Sequence, residues 1–161
     1  MKKLLCVGLA AIALAGATIA PAWADGERIV LVSHAPDSDS WWNTIKNGLA
    51  LAGKQVNVEV EYRNPTTGDI GDMARIIEQA AASKPQGIIT TLADFDVLSG
   101  PIKNAVAKGI PVIIINSGTP EQAAEVGALM YVGQPEYDAG LAAGQRAKRD
   151  GVKSFLCVNH V

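Results

Sequence analysis

Between Arg28 and Arg149 the hydrophobic pattern switches repeatedly between two periods, and that alternation leaves the chain very few folds. Arg28 to Ser33 reads as a buried strand. Trp41, Trp42, Ile45, Leu49 and Ala52 then recur at helical spacing, with Ser40 as the expected N-cap and Gly53 as the expected stop. Val56, Val58, Val60 and Tyr62 alternate with polar neighbours, as in a strand with one more exposed face. A second helical pattern (Ile70, Met73, Ile76, Ile77, Ala80) ends before Pro85. Gly87 to Leu92 is a further strand, and Gly100-Pro101 suits the opening of a helix over 101–108 that Gly109 closes. Strands at Pro111 to Ile115 and Leu129 to Val132 follow, then a helix over 136–149 and a last strand over 154–158.

Strands and helices taken in turn, without consecutive hairpins, require crossover connections. The expected fold is α/β: a doubly wound parallel sheet of about five strands with helices on both faces. The run Val112-Ile-Ile-Ile115 has no polar face and fits a sheet covered on both sides. Ala139, Gly140, Ala143 and Gly144 form a small-residue stripe, expected to let their helix pack closely on the sheet.

The N-terminus has a different design. Lys2 and Lys3 precede an apolar run from Leu4 to Ile19, Pro21 breaks it, and Ala22-Trp23-Ala24 presents the small-x-small pattern of signal-peptide cleavage. Residues 1–24 are therefore expected to be a signal peptide, directing the mature chain from Asp25 to the periplasm. Loss of the two leader lysines leaves 12 basic against 16 acidic residues in 137, a formal charge of −4. That balance offers no footprint for nucleic acid or an anionic membrane. Cys6 lies in the leader, so Cys157 is the single mature cysteine, and neither an intrachain disulfide nor a cysteine-based zinc site is available.

In an open α/β sheet, ligands bind beyond the carboxyl ends of the strands. The residues expected there fall in four loops. The first strand leads into His34, Asp37, Asp39, Trp41 and Trp42; the third into Thr91 and Asp94; the fourth into Asn116 and Ser117; the fifth into Gln134 and Glu136. Hydroxyl, amide and carboxylate groups can hydrogen-bond sugar hydroxyls in both senses, and an indole can cover the apolar face of a sugar. Adjacent residues on a helix point about 100° apart, so at most one of Trp41 and Trp42 is expected in the core. Asp94 and Asp96 diverge at an i, i+2 spacing, and a helix-capping role is open to at least one.

Enzyme signatures are missing. There is no G-x-S-x-G elbow, no G-x-G-x-x-G after the first strand, and no P-loop lysine beside Gly68 and Gly71. His34 and His160 have no spacing partner that would suggest a metal site, so neither a metal nor a cofactor is expected.

Several stretches resemble the periplasmic sugar-binding proteins of the ribose-binding type. These are Ser33 to Gly48, with paired aromatics opening a helix that reaches Asn47-Gly48; Lys108-Gly-Ile-Pro-Val-Ile-Ile115; Tyr131-Val-Gly-Gln134 with Ala139-Gly140; and Phe155-Leu-Cys-Val-Asn-His160. The resemblance implies a two-lobed receptor that closes on a simple sugar or polyol and delivers it to the membrane subunits of an ABC importer. It carries Asp39, Trp41, Trp42, Thr91 and Asn116 over as ligand contacts. It also implies that residues 25–150 form the N-terminal lobe and 151–161 the start of a truncated second one. Where the family usually has aspartate followed by arginine, this chain has Asn116-Ser117, so the guanidinium fork is missing and a polyol or modified sugar comes into range. Two alternatives stay open: an exported receptor that presents a small signal molecule to a chemoreceptor or sensor, and an exported α/β enzyme.

Overall fold

The computed structural model describes residues 26–157. The expected leader, together with Val158 and His160, lies outside the described residues. Ten elements follow one another: β1 (Arg28–Val32), α1 (Trp42–Val56), β2 (Glu59–Arg63), α2 (Ile70–Ala82), β3 (Gly87–Thr90), α3 (Phe95–Ala107), β4 (Val112–Ile115), α4 (Pro120–Glu125), β5 (Met130–Val132) and α5 (Glu136–Arg149). The five strands form one parallel sheet in the order β2-β1-β3-β4-β5. The chain leaves β1 toward one edge and returns to β3 on its other side, which makes the β1/β3 boundary the topological switch point.

Strand side chains alternate between two cores, as a pleated sheet requires. On one face Val30, Val32, Ile88, Val112 and Ile114 meet Met73 and Ile77 of α2, Leu98 and Ile102 of α3, and Ala123 of α4. On the other, Leu31 packs with Trp42, Ile45 and Leu49 of α1 and with Tyr62, Ile89 and Ile115. Each fully buried Leu or Ile contributes about 1.5–3 kcal/mol. The expected doubly wound α/β sheet of about five strands is thus the observed one.

Several boundaries differ from expectation, each for a local reason. Helix α1 runs through Gly53 to Val56 and stops at Asn57, whose left-handed backbone (φ 57°) donates its N–H to the Gly53 carbonyl. Gly53 is there because a Cβ would sit 2.6 Å from the Val58 carbonyl oxygen, so it marks a close approach rather than a helix end. With α1 longer, β2 begins at Glu59 instead of Val56. Helix α3 begins at Phe95, capped by the Asp94 side chain, which accepts from the Val97 N–H at 3.0 Å. Pro101 lies inside that helix, and the Val97 carbonyl deprived of its donor belongs to a residue 42% exposed, where water can replace the bond. The short helix α4 was not expected, although Thr119-Pro120 opens it with an N-cap followed by proline at the first helical position.

The C-terminal expectations fail more completely. Residues 152–157 form no strand, and α5 buries none of its side chains, so its small-residue stripe does not pack on the sheet.

Candidate functional site

The loop leaving β1 is tied down before it reaches the ligand edge. The Asn64 amide donates to the Ala35 carbonyl (2.9 Å) and to Asp37 Oδ1 (2.8 Å), and the Ser33 hydroxyl meets the Tyr62 hydroxyl at 2.6 Å. Burial pushes the Tyr62 phenol above its ordinary pKa, against the lowering effect of the Ser33 hydrogen bond. Lys46 Nζ stands 4.5 Å over the Tyr62 ring. Asp39 Oδ1 accepts from the Trp41 N–H at 3.0 Å, which sets the turn leading into α1.

The two indoles divide as the helical geometry demands. Trp42 is 3% exposed and joins the α1 core; Trp41 is 54% exposed. They meet edge to face, with ring centroids 5.3 Å apart, and Trp42 makes a second edge contact to His34 at 5.7 Å. Thr91, at the end of β3, is fully buried behind His34: its hydroxyl accepts from the His34 backbone N–H (3.1 Å) and meets His34 Nδ1 (2.9 Å).

From β4 comes Asn116, in a left-handed conformation (φ 61°) that carries its side chain away from the strand line. Its Oδ1 accepts from the Ser117 hydroxyl at 2.9 Å, and its carbonyl accepts from the Tyr131 hydroxyl at 2.8 Å. Burial also raises the Tyr131 phenol above its ordinary pKa, with the Glu136 carboxylate adding to the effect. The same hydroxyl reaches the Gln134 carbonyl at 3.2 Å, and a side chain on Gly133 would collide with it.

These loops enclose a cavity of about 330 Å³ lined by His34, Asp39, Trp41, Trp42 and Asn116. It lies at the carboxyl ends of β1 and β4, on the edge where ligands of open α/β sheets bind. Among the described residues its lining holds the Asp39 carboxylate and neither lysine nor arginine, a set suited to hydroxyl groups rather than to an anion. Among the described residues no group of three or more His, Cys, Asp or Glu side chains is placed to hold a metal ion.

The remaining sequence candidates lie beside the cavity rather than in its lining. Asp37 holds Asn64, Thr91 supports His34, Asp94 caps α3, and Ser117 braces Asn116. Gln134 and Glu136 are exposed beyond β5. Sequence reading missed Tyr62, Asn64 and Tyr131, which fix the loops from behind. Asn64 stands before Pro65 at the end of β2, a turn signal that could have drawn attention to it.

Comparison with known proteins agrees with this geometry. The profile of the periplasmic binding protein domain matches residues 29–156. A carbohydrate transporter protein from Acidothermus cellulolyticus 11B, solved in complex with myo-inositol, is 40% identical, with a TM-score of 0.74 over 80% of this chain and 44% of that one. GanP, a glucose-galactose binding protein from Geobacillus stearothermophilus, is 31% identical, with a TM-score of 0.70 over 80% of this chain and 44% of that one. A XylFII–LytSN complex contains a chain 32% identical, with a TM-score of 0.68 over 77% of this chain and 44% of that one. The present chain therefore spans a little under half the length of these solved relatives. With the profile covering nearly the whole described sheet and its helices, the chain belongs to the periplasmic binding protein family.

Proposed function

We propose that this chain forms the first lobe of an exported receptor that binds a neutral sugar or polyol and hands it to an ABC importer. The observation that carries this reading is the cavity at the strand ends, where two indoles stand beside an imidazole, a carboxylate and an amide with no lysine or arginine among them. The indoles supply an apolar surface for a ring, and the polar groups can both donate to and accept from hydroxyls. The relative solved with myo-inositol, at 40% identity, supports a cyclic polyol as the first ligand to test. Export follows from the leader pattern, with cleavage after Ala24. A mature protein recovered from the periplasm with Asp25 at its N-terminus is the expected result, and recovery of the uncleaved chain from that compartment would contradict it. No catalytic step is assigned to the cavity.

The proposed lobe is residues 25–150, with 151–161 as the start of a second one. Strand β5 is the last element in the sheet, and among the described residues α5 buries none of its side chains. In hinge-type binders a second lobe supplies the opposite wall of the cleft, so this lobe by itself binds more weakly than the intact inositol-binding relative. The test is a fluorescence titration of the mature chain with myo-inositol, glucose and galactose, beside that relative. A saturable change in the indole signal, largely lost in Trp41→Phe, is expected. A folded chain silent to all three ligands would sink the reading, and affinity equal to the relative's would sink the one-wall argument.

A second reading has one specific support, the XylFII–LytSN complex: a similar chain docks on another protein. A receptor that only reports its ligand to a sensor would leave uptake of the sugar unchanged when its gene is deleted, whereas an importer subunit would not.

A further inference from the structure

We propose that Tyr131 positions Asn116 for the ligand: its hydroxyl pins the Asn116 peptide in the left-handed turn that brings this residue to the cavity wall. The inference rests on the receptor reading above and deepens it, since Tyr131 itself lies outside the lining. Asn116 follows the last residue of β4 with φ 61°, a backbone region that asparagine tolerates better than most residues with a Cβ. Tolerance alone does not hold it there. Both of its main-chain polar groups are committed to β5. Its N–H donates to the Val132 carbonyl at 3.0 Å, and its carbonyl accepts from the Tyr131 hydroxyl at 2.8 Å. The first bond extends the ladder between the two strands; the second fixes how the peptide turns beyond it. The next peptide is held from the other side, where the Ser117 carbonyl accepts from the Leu92 N–H at 3.0 Å.

The chain is shaped around that hydroxyl. Tyr131 pairs with Ile114 in the register of β4 and β5 and packs against the α2/α3 core, and its hydroxyl reaches past the strand end to Asn116. Gly133 is the complement: a Cβ there would collide with the Tyr131 ring and hydroxyl and would stand 3.0 Å from the Asn116 carbonyl oxygen. Bare backbone at 133 is what lets donor and acceptor meet. The Gln134 carbonyl, at 3.2 Å, competes for the same single hydrogen, and the shorter contact to Asn116 takes the larger share. Burial, with the Glu136 carboxylate adding to it, holds the phenol above its ordinary pKa, so the hydroxyl remains a donor. Among the described residues the other lining side chains (His34, Asp39, Trp41 and Trp42) all come from the segment after β1. Asn116 is therefore β4's whole contribution to the wall, and a slack turn there would forfeit it.

The turn can be read without any ligand. In the isotope-labelled mature chain, backbone chemical shifts and the scalar coupling at the Asn116 N–H report its φ, and hydrogen exchange of that N–H reports the bond to Val132. A left-handed φ and a protected N–H are expected in the wild type. Tyr131→Phe keeps the ring and loses the hydroxyl, and should show an averaged φ and faster exchange. In the titration Tyr131→Phe should weaken myo-inositol binding about fivefold, the loss expected for one hydrogen bond. Asn116→Gly keeps the positive φ accessible and removes the side chain. In that background Tyr131→Phe should cost nothing further, because a positioning residue acts only through the group it positions. An Asn116 φ that is not left-handed in the wild type, or that is unchanged in Tyr131→Phe, would overturn the pin whatever the titration gives. Unchanged affinity in Tyr131→Phe, or equal losses in the two backgrounds, would overturn the positioning role. A φ released by Tyr131→Phe in a chain that binds none of the three ligands would instead overturn the receptor reading and leave the pin in place.

Discussion

The two ends of the sheet are built to different standards. Around β1, β3 and β4, the apolar strand positions facing α2 and α3 are closed: Val30, Val32, Ile88 and Ile114 are at most 1% exposed, as are Met73, Ile77, Leu98 and Ile102 on the helices above them. At β5 the same kind of residue is left in the open. Leu129 is 68% exposed and Met130 and Val132 are each 53% exposed, and on the segment that follows Tyr137 and Phe155 reach 82%. The first region is a finished core. The second leaves its apolar side chains uncovered among the described residues. This difference explains the site: the cavity is lined from β1, from β4 and from the first turn of α1, within the finished region, while Gln134 and Glu136 sit in the unfinished one.

The contrast has a direct test. Leu98→Ala removes a fully buried side chain shared by α3 and the sheet, and should cost about 2–5 kcal/mol. Leu141→Ala, on α5 and 52% exposed, should change stability by less than about 0.5 kcal/mol. Chemical denaturation of both variants measures the difference. Similar losses would mean that α5 is packed in solution and that the two regions are not distinct.

Much of this division was legible in the sequence, and its failures are instructive. The strands were readable because their apolar runs needed no partner to be recognised; Val112-Ile-Ile-Ile115 is buried wherever it sits in a parallel sheet. The split between Trp41 and Trp42 followed from helix geometry alone. Helix α3 was started too late because Gly100-Pro101 is a strong local signal, yet the periodic set Leu98, Ile102 and Ala105 already required an earlier start. Thr91 was legible as a ligand-edge residue, but its hydrogen bonds to His34, and those of Tyr131 to the Asn116 and Gln134 carbonyls, were not. Each depends on which strand ends are neighbours, and sheet order is a tertiary fact. For the same reason the stripe on α5 was misread: small residues permit close packing without showing that a partner is present.

A smaller effect probes the covered side of the sheet at its other edge. Gly53 is buried where α1 turns back toward β2, and a methyl group there would press on the Val58 backbone carbonyl and on the Val60 side chain. Backbone cannot move aside as a side chain can. Gly53→Ala should therefore destabilise the lobe by about 1–3 kcal/mol, despite alanine's better helix propensity. A melting temperature equal to or above that of the wild type would show that the α1–β2 corner is more open than described.

The smallest expected effect separates architecture from ligand contact within the finished region. Asp94 was a candidate for both. Its side chain accepts from the Val97 N–H at 3.0 Å, and it stands outside the cavity lining. If capping is its whole role, Asp94→Ala should cost about 1 kcal/mol of stability, and Asp94→Asn, which caps equally well, should cost a few tenths. Ligand affinity should then follow neither substitution once the folded fraction is accounted for. A loss of myo-inositol binding in Asp94→Asn at unchanged stability would place the carboxylate at the ligand. The cleft would then extend from the β1 and β4 loops to the β3 loop, and the finished core would carry a wider binding edge than its cavity displays.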